Sequence, residues 1–486
     1  MSRINTNVSS LIAQRNLAKS NKELSTSLER LSTGLRINRG ADDPAGIIVS
    51  ERLRSEIKGV GQAVDNAERA ANVIATAEAA LQEVSTLLTE MRALIVQSAN
   101  TGAFSQQEIE ANQLQIDSAI DSITRISNTT SFAGLKLLNG SLDYLTSGIN
   151  PADIQDVKIF GANFGTNSTI PVTVEVLNSA ETASLFISGN TTGSAGALLS
   201  SLTIEVQGTK GVQVFSFVSG TALSAVAFAI NQTSDSTGVA ANLVSAANQT
   251  SGLTLTSAEF GSDSFVSVRK ISGGAFFQTF TAQAGTATNR DTGEDVLALV
   301  NGNLALGDGL KVGLHSPTLN MELGLTQAAA QQLQTYTFTV TGGGANYQIG
   351  PQVNSAQQVG FGIQSVAASS LGSTDTGFLE SVKSGGPNSL VNSSQREASA
   401  IVDAAIDQIA VMRGRIGAFE RNTLQTTIRS SQISLENLTA AESKIRDTDF
   451  AYETSRLTRS QILVNAGTAQ LALANSTAQS VLSLLQ

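Results

Sequence analysis

The chain is expected to be an α+β multidomain protein: a long α-helical coiled-coil rod made from both termini, with a central β-rich insert. Three observations carry this. Roughly the first 140 and the last 95 residues place apolar residues at alternating three- and four-residue steps. Within the first 150 residues the only proline is Pro44, and none follows Pro387. The remaining prolines and most glycines fall in a Gly/Ser/Thr/Val-rich middle whose short runs alternate apolar and polar residues.

The first helix is expected from about Asn7 to Gly34, with Leu17, Leu24, Leu28, Leu31 and Leu35 stepping by seven, four, three and four as a coiled-coil seam. In the turn that follows, Asp43 is a natural N-cap and Pro44 an N1 proline, a position whose missing N–H costs nothing. The second helix therefore starts near Pro44. Its seam runs Ile57, Val60, Val64, Ala67, Ala71, Ile74 and, after a shortened step, Ala77, Leu81, Val84, Leu88, Met91 and Ile95. At about 1.5 Å per residue it extends roughly 80 Å.

A third helix opens with the capping box Ser105-Gln-Gln-Glu108, flanked by Phe104 and Ile109 as a hydrophobic staple, and should reach about Asn128. Ser394-Gln-Arg-Glu397 repeats the capping pattern. From there Ala405, Ile409, Met412, Ile416 and Phe419, then Ile428, Leu435, Leu438 and Ile445, carry a seam to the Asp447-Thr448-Asp449 break. A last helix, from about Phe450 to Leu485, contains Leu457, Val464, Leu471, Val481 and Leu485. A terminal helix that buries only a few leucines, at roughly 1.5–3 kcal/mol each, scarcely offsets an ordering cost of about 1–2 kcal/mol per residue. The extreme ends are therefore expected to complete their folding only when other copies cover them.

In the middle, Val172–Val176, Leu202–Val206, Val212–Phe217, Leu253–Thr256, Phe265–Val268, Phe277–Phe280 and Tyr336–Val340 read as strands with one buried face. Ala222–Asn231 reads as a helix packed on them. Tyr347–Gly350 and Gln357–Phe361 read as a strand pair returning the chain to the rod. Several Asn-x-Ser/Thr triplets have the pattern of glycan acceptors, although polar β surfaces are rich in these residues anyway.

Composition limits the chemistry. The 486 residues contain no cysteine and one histidine, His315, in what reads as a loop. Disulfides and thiolate metal sites are thus excluded within one chain, and neither a zinc-protease helix nor a cysteine–histidine pair can be assembled. We expect no enzyme activity and no cofactor. A net charge of −10 argues against nucleic acid as a partner, although the first forty residues carry Arg3, Arg15, Lys19, Lys22, Arg30, Arg36 and Arg39 against Glu23 and Glu29. That local excess reads as a solvated helix face or as complementarity within an assembly. The stretch after Arg459 has no charge, but its amides Gln461, Asn465, Gln470, Asn475 and Gln479 argue against membrane insertion. No apolar segment with a small-residue cleavage site follows Met1, so a cleaved secretory signal is not expected.

Several segments together resemble a known family. Met1-Ser-Arg-Ile-Asn-Thr-Asn7, Leu31–Ile37, Ala41-Asp-Asp-Pro-Ala-Gly46 and Val96-Gln-Ser-Ala-Asn100 are similar to the N-terminal signature of bacterial flagellins. Ala466-Gly-Thr-Ala-Gln470 and Val481–Gln486 are similar to the C-terminal one. Ala222–Asn231 resembles a repeat with an Ile-Asn pair found in flagellins and hook-associated proteins.

The resemblance implies an extracellular structural subunit of the flagellar filament, exported by the flagellar type III apparatus and active in swimming motility. Its partners would be many copies of itself, with an export chaperone, the filament cap and hook-junction proteins. It implies three layers: residues 1–45 with 449–486 as an inner coiled coil, 46–180 with 345–448 as a helical rod with a β-hairpin, and 181–344 as a variable outer part. Leu17 to Leu35, Ile57, Val60, Val64, Leu435, Leu438 and the apolar residues of the last helix would be its assembly seam. A few-copy hook–filament junction protein shares this plan, and an adhesin would explain the insert but not the paired ends. Finally, Thr89–Gln97 matches a family segment read by a Toll-like immune receptor, which would make Arg92, Leu94 and Gln97 contacts; Glu90 stands where that segment has arginine. The alternative is that this stretch is rod seam and subunit contact surface.

Overall fold

A computed structural model describes residues 6–165, 167–188, 196–245, 251–274 and 277–483, with side chains to Ser476. Its helices are α1 (Val8–Thr33), α2 (Pro44–Ser98), α3 (Gln106–Thr129), α4 (Leu223–Asn231), α5 (Ser234–Thr237), α6 (Gln327–Ala330), α7 (Gln395–Ala418), α8 (Gln425–Arg446) and α9 (Phe450–Ser483). The chain divides into two compact units. One comprises residues 1–71, 348–353 and 421–486, the other 72–347 and 354–420.

The helix boundaries follow from local chemistry. Asn7 caps α1 by accepting the Ser10 N–H at 3.0 Å. Gly34, at φ 74°, ends the helix in the left-handed conformation that favours glycine. Asp43 Oδ1 accepts the Gly46 N–H at 2.9 Å, so Asp43 caps α2 and Pro44 is its first residue. The capping box of α3 forms as expected, with Ser105 N–H donating to Glu108 Oε2 at 2.7 Å. The one expected at α7 does not: Ser394 makes no side-chain cap, and its hydroxyl donates to the Pro387 carbonyl at 3.3 Å instead. Asp449 accepts the Tyr452 N–H at the start of α9.

Between α7 and α8 the helix widens into a π turn over Phe419–Leu424. Across this turn the step between buried residues lengthens to five, from Phe419 to Leu424, the spacing of a π turn and not of an α-helix. Phe419 is buried against Phe361, with ring centroids 4.5 Å apart.

After α3 comes a minimal hairpin, Ser131–Phe132 with Leu135–Lys136, turning through Ala133 and Gly134 at φ 49° and 87°. The insert then builds two cores. The first lies on an eight-stranded sheet with neighbours in the order 144–147, 335–343, 170–178, 297–300, 303–308, 311–315, 319–325 and 154–162. Val172, Val174 and Val176 alternate into its core beside Met321, Leu323 and Phe338. This sheet joins residues 144–178, expected in the rod, to residues 297–343, expected in the outer part: Val172–Val176 pair with residues 298–300 and 335–338. The second core lies between two four-stranded sheets built from 182–292, with α4 contributing Val226, Ala227 and Ile230. His315 ends the strand Lys311–His315 and is not in a loop as expected; its Nδ1 lies 3.0 Å from Asn320 Oδ1. The return pair forms from Ala345–Gln348 and Gln358–Phe361.

Candidate assembly surfaces

The terminal helices α1 and α9 pack antiparallel. At one end Asn7 Nδ2 donates to the Ala474 carbonyl (2.8 Å) and Ser10 Oγ to Asn475 Oδ1 (2.9 Å); at the other Ser27 Oγ donates to Glu453 Oε1 (2.6 Å). The line facing α9 is Ser10, Ala13, Leu17, Ser20, Leu24, Ser27 and Leu31, all buried or half-buried. That facing α1 is Glu453, Leu457, Ser460, Val464, Gly467, Leu471 and Ala474. Both follow an unbroken four-three rhythm in which large residues recur every seven positions and small ones fill the alternate positions.

The small residues matter because the helices are antiparallel. A Cβ on Gly467 would lie 3.8 Å from the Leu17 Cα, so the backbones approach closely there. The large Leu17 thus meets the small Gly467 across the pair, while Ser27 meets Glu453. Counting leucines alone assigns the alternate positions differently. Leu28 stands off this line and is 50% exposed. Leu35 lies in the following turn, bridged to Asp447. Leu17, Leu24, Leu31, Leu457, Val464 and Leu471 lie on the line, while the Val481 side chain and Leu485 fall outside the described residues.

One polar layer sits in this pair. Glu453 is only 3% exposed, accepts from Ser27 and lies 3.7 Å from Arg30 Nη1. The chain reversal beyond it is tied by Thr448 N–H to the Gly34 carbonyl (2.9 Å) and Arg36 N–H to the Arg446 carbonyl (2.6 Å). The Arg39 N–H, joined by that of Asn38 and the Arg30 and Arg39 charges, holds the Asp42 carboxyl below its ordinary range.

In the same unit, Ile57 is half-buried and Val60 and Val64 are buried on α2. Helix α8 buries no residue: Leu435 and Leu438 are half-buried, and Ile433 is exposed. Its polar ties to α2 are Arg446 to Glu51 (3.0 Å) and Ser50 to Glu442 (3.1 Å). Leu11 and Ile12 on α1 and Phe450, Ile462 and Leu473 on α9 also face outward. Isolated exposed apolar residues are ordinary, but helices that are apolar on several faces need more neighbours than this unit supplies.

In the other unit, residues 72–98 of α2 pack with α3 and α7 through fully buried Leu81, Leu88, Met91, Ile116, Ile120 and Ile409. Arg413 pairs with Glu78 and Arg92 with Asp403, each at 2.9 Å. Leu94 is half-buried and Gln97 exposed; with Leu87 and Leu114 they line a groove between α2 and α3. Gln113 is a feature that apolar spacing misses. Buried inside the bundle, it donates to the Val382 carbonyl (2.9 Å) and accepts from Leu390 N–H (2.7 Å), binding the loop before α7 to α3. Among the described residues no cluster of His, Asp or Glu could hold a metal ion, and no helix is long and apolar enough to cross a membrane.

Residues 4–143 match the bacterial flagellin N-terminal helical region, residues 399–485 the bacterial flagellin C-terminal helical region, and residues 201–259 the flagellin hook IN motif. The chain is 32% identical to the B-type flagellin of Pseudomonas aeruginosa, 31% to a flagellin of Salmonella typhimurium and 30% to flagellin A of Vibrio cholerae. Each alignment covers 99% of both chains. The chain therefore belongs to the bacterial flagellins, the structural subunits that polymerise into the flagellar filament used for swimming.

Proposed function

We propose that the α1–α9 pair and α8 are the surfaces that neighbouring copies cover in the filament, with the paired termini forming its inner wall and the β-rich insert facing outward. The observation that carries this reading is the unit containing both termini: its 22-residue helix α8 buries nothing, and α1 and α9 keep outward apolar residues after pairing. Heterologous contacts that do not close make open helical polymers, and long helices supply extended surfaces for them. The uncharged stretch after Arg459 suits a wall shared by many subunits around a wet channel. Leu28, Leu435 and Leu438, incompletely buried within the chain, act here as contacts between copies.

Circular dichroism of unpolymerised subunit against filament tests it. Helix content should rise on polymerisation, and equal content in both would sink the idea. The finer partners follow from the same reading: an export chaperone covering the C-terminal helices before assembly, and the cap and hook-junction proteins contacting the same surfaces at the filament ends. Purified filaments should consist mostly of this chain, whereas a trace amount would favour a junction role.

The stretch Thr89–Gln97 is read as subunit contact surface, since Arg92 is engaged by Asp403 and Glu90 places a negative charge on the exposed helix face. A receptor reporter assay on the native chain and Glu90→Arg checks this; equal strong signalling by both would refute it.

A further inference from the structure

The β module of residues 182–292 protects most of its sheet edges. One four-stranded sheet ends in Val239–Leu243, on which α4 packs, and in the two-residue strand Thr279–Phe280. The other ends on one side in Arg290–Thr292, three residues that include Arg290 and Asp291. Short, covered or charged edges keep β proteins from pairing with one another.

The fourth edge is less protected: α4 and α5 touch it, but neither packs along it as α4 does on Val239–Leu243. Val212–Phe217 is six residues long, without charge, proline or glycine. It is hydrogen-bonded on one side to Leu202–Gly208 and, among the described residues, to no strand on the other. Phe215 and Phe217 turn inward and stack with centroids 6.1 Å apart. Val212 and Val214 stand on the opposite face, 54% and 47% exposed, and Val218 just beyond is 71% exposed. The nearby charges are already matched: Glu205, across from Val214, accepts from Arg269 Nε and Nη2 at 2.9 and 2.8 Å, and Lys210 lies 3.4 Å from Glu259.

We propose that this edge pairs with the same edge of a second copy, antiparallel about a two-fold axis, joining two four-stranded sheets into one. Charge selects the occupant. Copies of a chain with net charge −10 repel one another, but here self-pairing sets no like charges opposite, and an acidic or basic segment of another protein would meet no free counter-charge. Geometry narrows the register. Facing residues of one continuous sheet must share a face, so the two-fold passes through a residue; a centre at Phe215 sets the exposed Val212 of one copy across from the exposed Val218 of the other, and is the register we take. Copies related along one filament are linked by a screw operation. Two filaments lying side by side with the same polarity can be related by a two-fold parallel to their length, so the pairing fits lateral association of filaments. The supply of copies rests on the filament reading above.

The absence of cysteine makes the test clean, because introduced thiols are the only ones present. Filaments of the full chain carrying Val212→Cys and Val218→Cys together are oxidised and run on a non-reducing gel. Disulfide-linked dimers are expected from the double variant and not from Val212→Cys alone, whose thiol faces a valine. Adding Val214→Lys should cut the dimer yield roughly tenfold or more, since it brings two cations close together across the pair. Normal filaments from the double variant with no dimers would overturn the strand pairing and leave the filament reading intact. Failure of the unsubstituted chain to form filaments would overturn the filament reading instead.

Discussion

Gly467 is the position where the packing of the terminal helices can be tested most directly. A methyl group there would meet Leu17 at 3.4 Å from Cδ1, 3.7 Å from Cβ and 3.8 Å from Cα, all ordinary contact distances. Gly467→Ala should therefore fit without moving either helix and gain up to about 1 kcal/mol, because glycine is that much less favourable than alanine inside a helix. Gly467→Leu adds three further carbons aimed at the Leu17 side chain and backbone. Relief requires the helices to separate, at a cost of about 1–3 kcal/mol for overpacking, and separation also strains the Ser27–Glu453 hydrogen bond. The assay is thermal melting by circular dichroism, with the subunit concentration needed for polymerisation measured in parallel. Alanine should raise or preserve both melting temperature and assembly, and leucine should lower both. If leucine behaved like alanine, the close antiparallel pair inferred from the small-residue layers would be wrong.

The other predictions concern single polar groups. Burial, with the Asp156 carboxylate nearby, pushes the Asp143 carboxyl up to about 6. A raised carboxyl stabilises the fold below its ordinary value near 4, and that contribution is lost as pH rises through 6; allowing for partial exposure, the loss is about 1–2 kcal/mol. Asp143→Asn, which keeps the acceptor for Tyr144 N–H, should remove that dependence, so the mutant-minus-native melting difference should grow between pH 4 and 7; a flat difference would contradict the shift. Glu453→Ala should cost about 1.5–3 kcal/mol by removing the partner of Ser27 and the counter-charge of Arg30, read by denaturant melting of the full chain. Ser105→Ala should cost about 1 kcal/mol, and Ser394→Ala clearly less because its hydroxyl does not cap α7; equal losses would mean the two helix starts are alike after all.

Much of the fold was legible in the sequence because helices and half-buried strands follow local rules. The seam of α2, from Val60 through Ile95 with its shortened step at Ala77, is buried as its spacing indicates except at Ala71, which is half-buried while Ala70 beside it is buried. The break at Asp447-Thr448-Asp449 and the strands at Val172, Leu202, Val212 and Tyr336 also fall where composition places them. The capping box at Ser105 formed while its twin at Ser394 did not, although the two tetrapeptides carry the same pattern. What differs is the surrounding chain: Pro387 offers its carbonyl to Ser394, and no spacing rule anticipates that.

Family membership and the helical or strand character of most segments were thus determined by the sequence itself, the latter because it depends on neighbours within a few residues; His315, read as a loop and found in a strand, is an exception. Tertiary structure decided which residues meet. It placed serines and Gly467 between the leucines of the terminal pair, sent Leu28 outward, opened the π turn at Phe419, and wove residues 144–178 with 297–343 into one sheet. The physical reason is common to these cases. The choice between neighbouring positions on a helix or a sheet edge is made by the shape of what packs against it, and that partner lies up to 467 residues away in the chain.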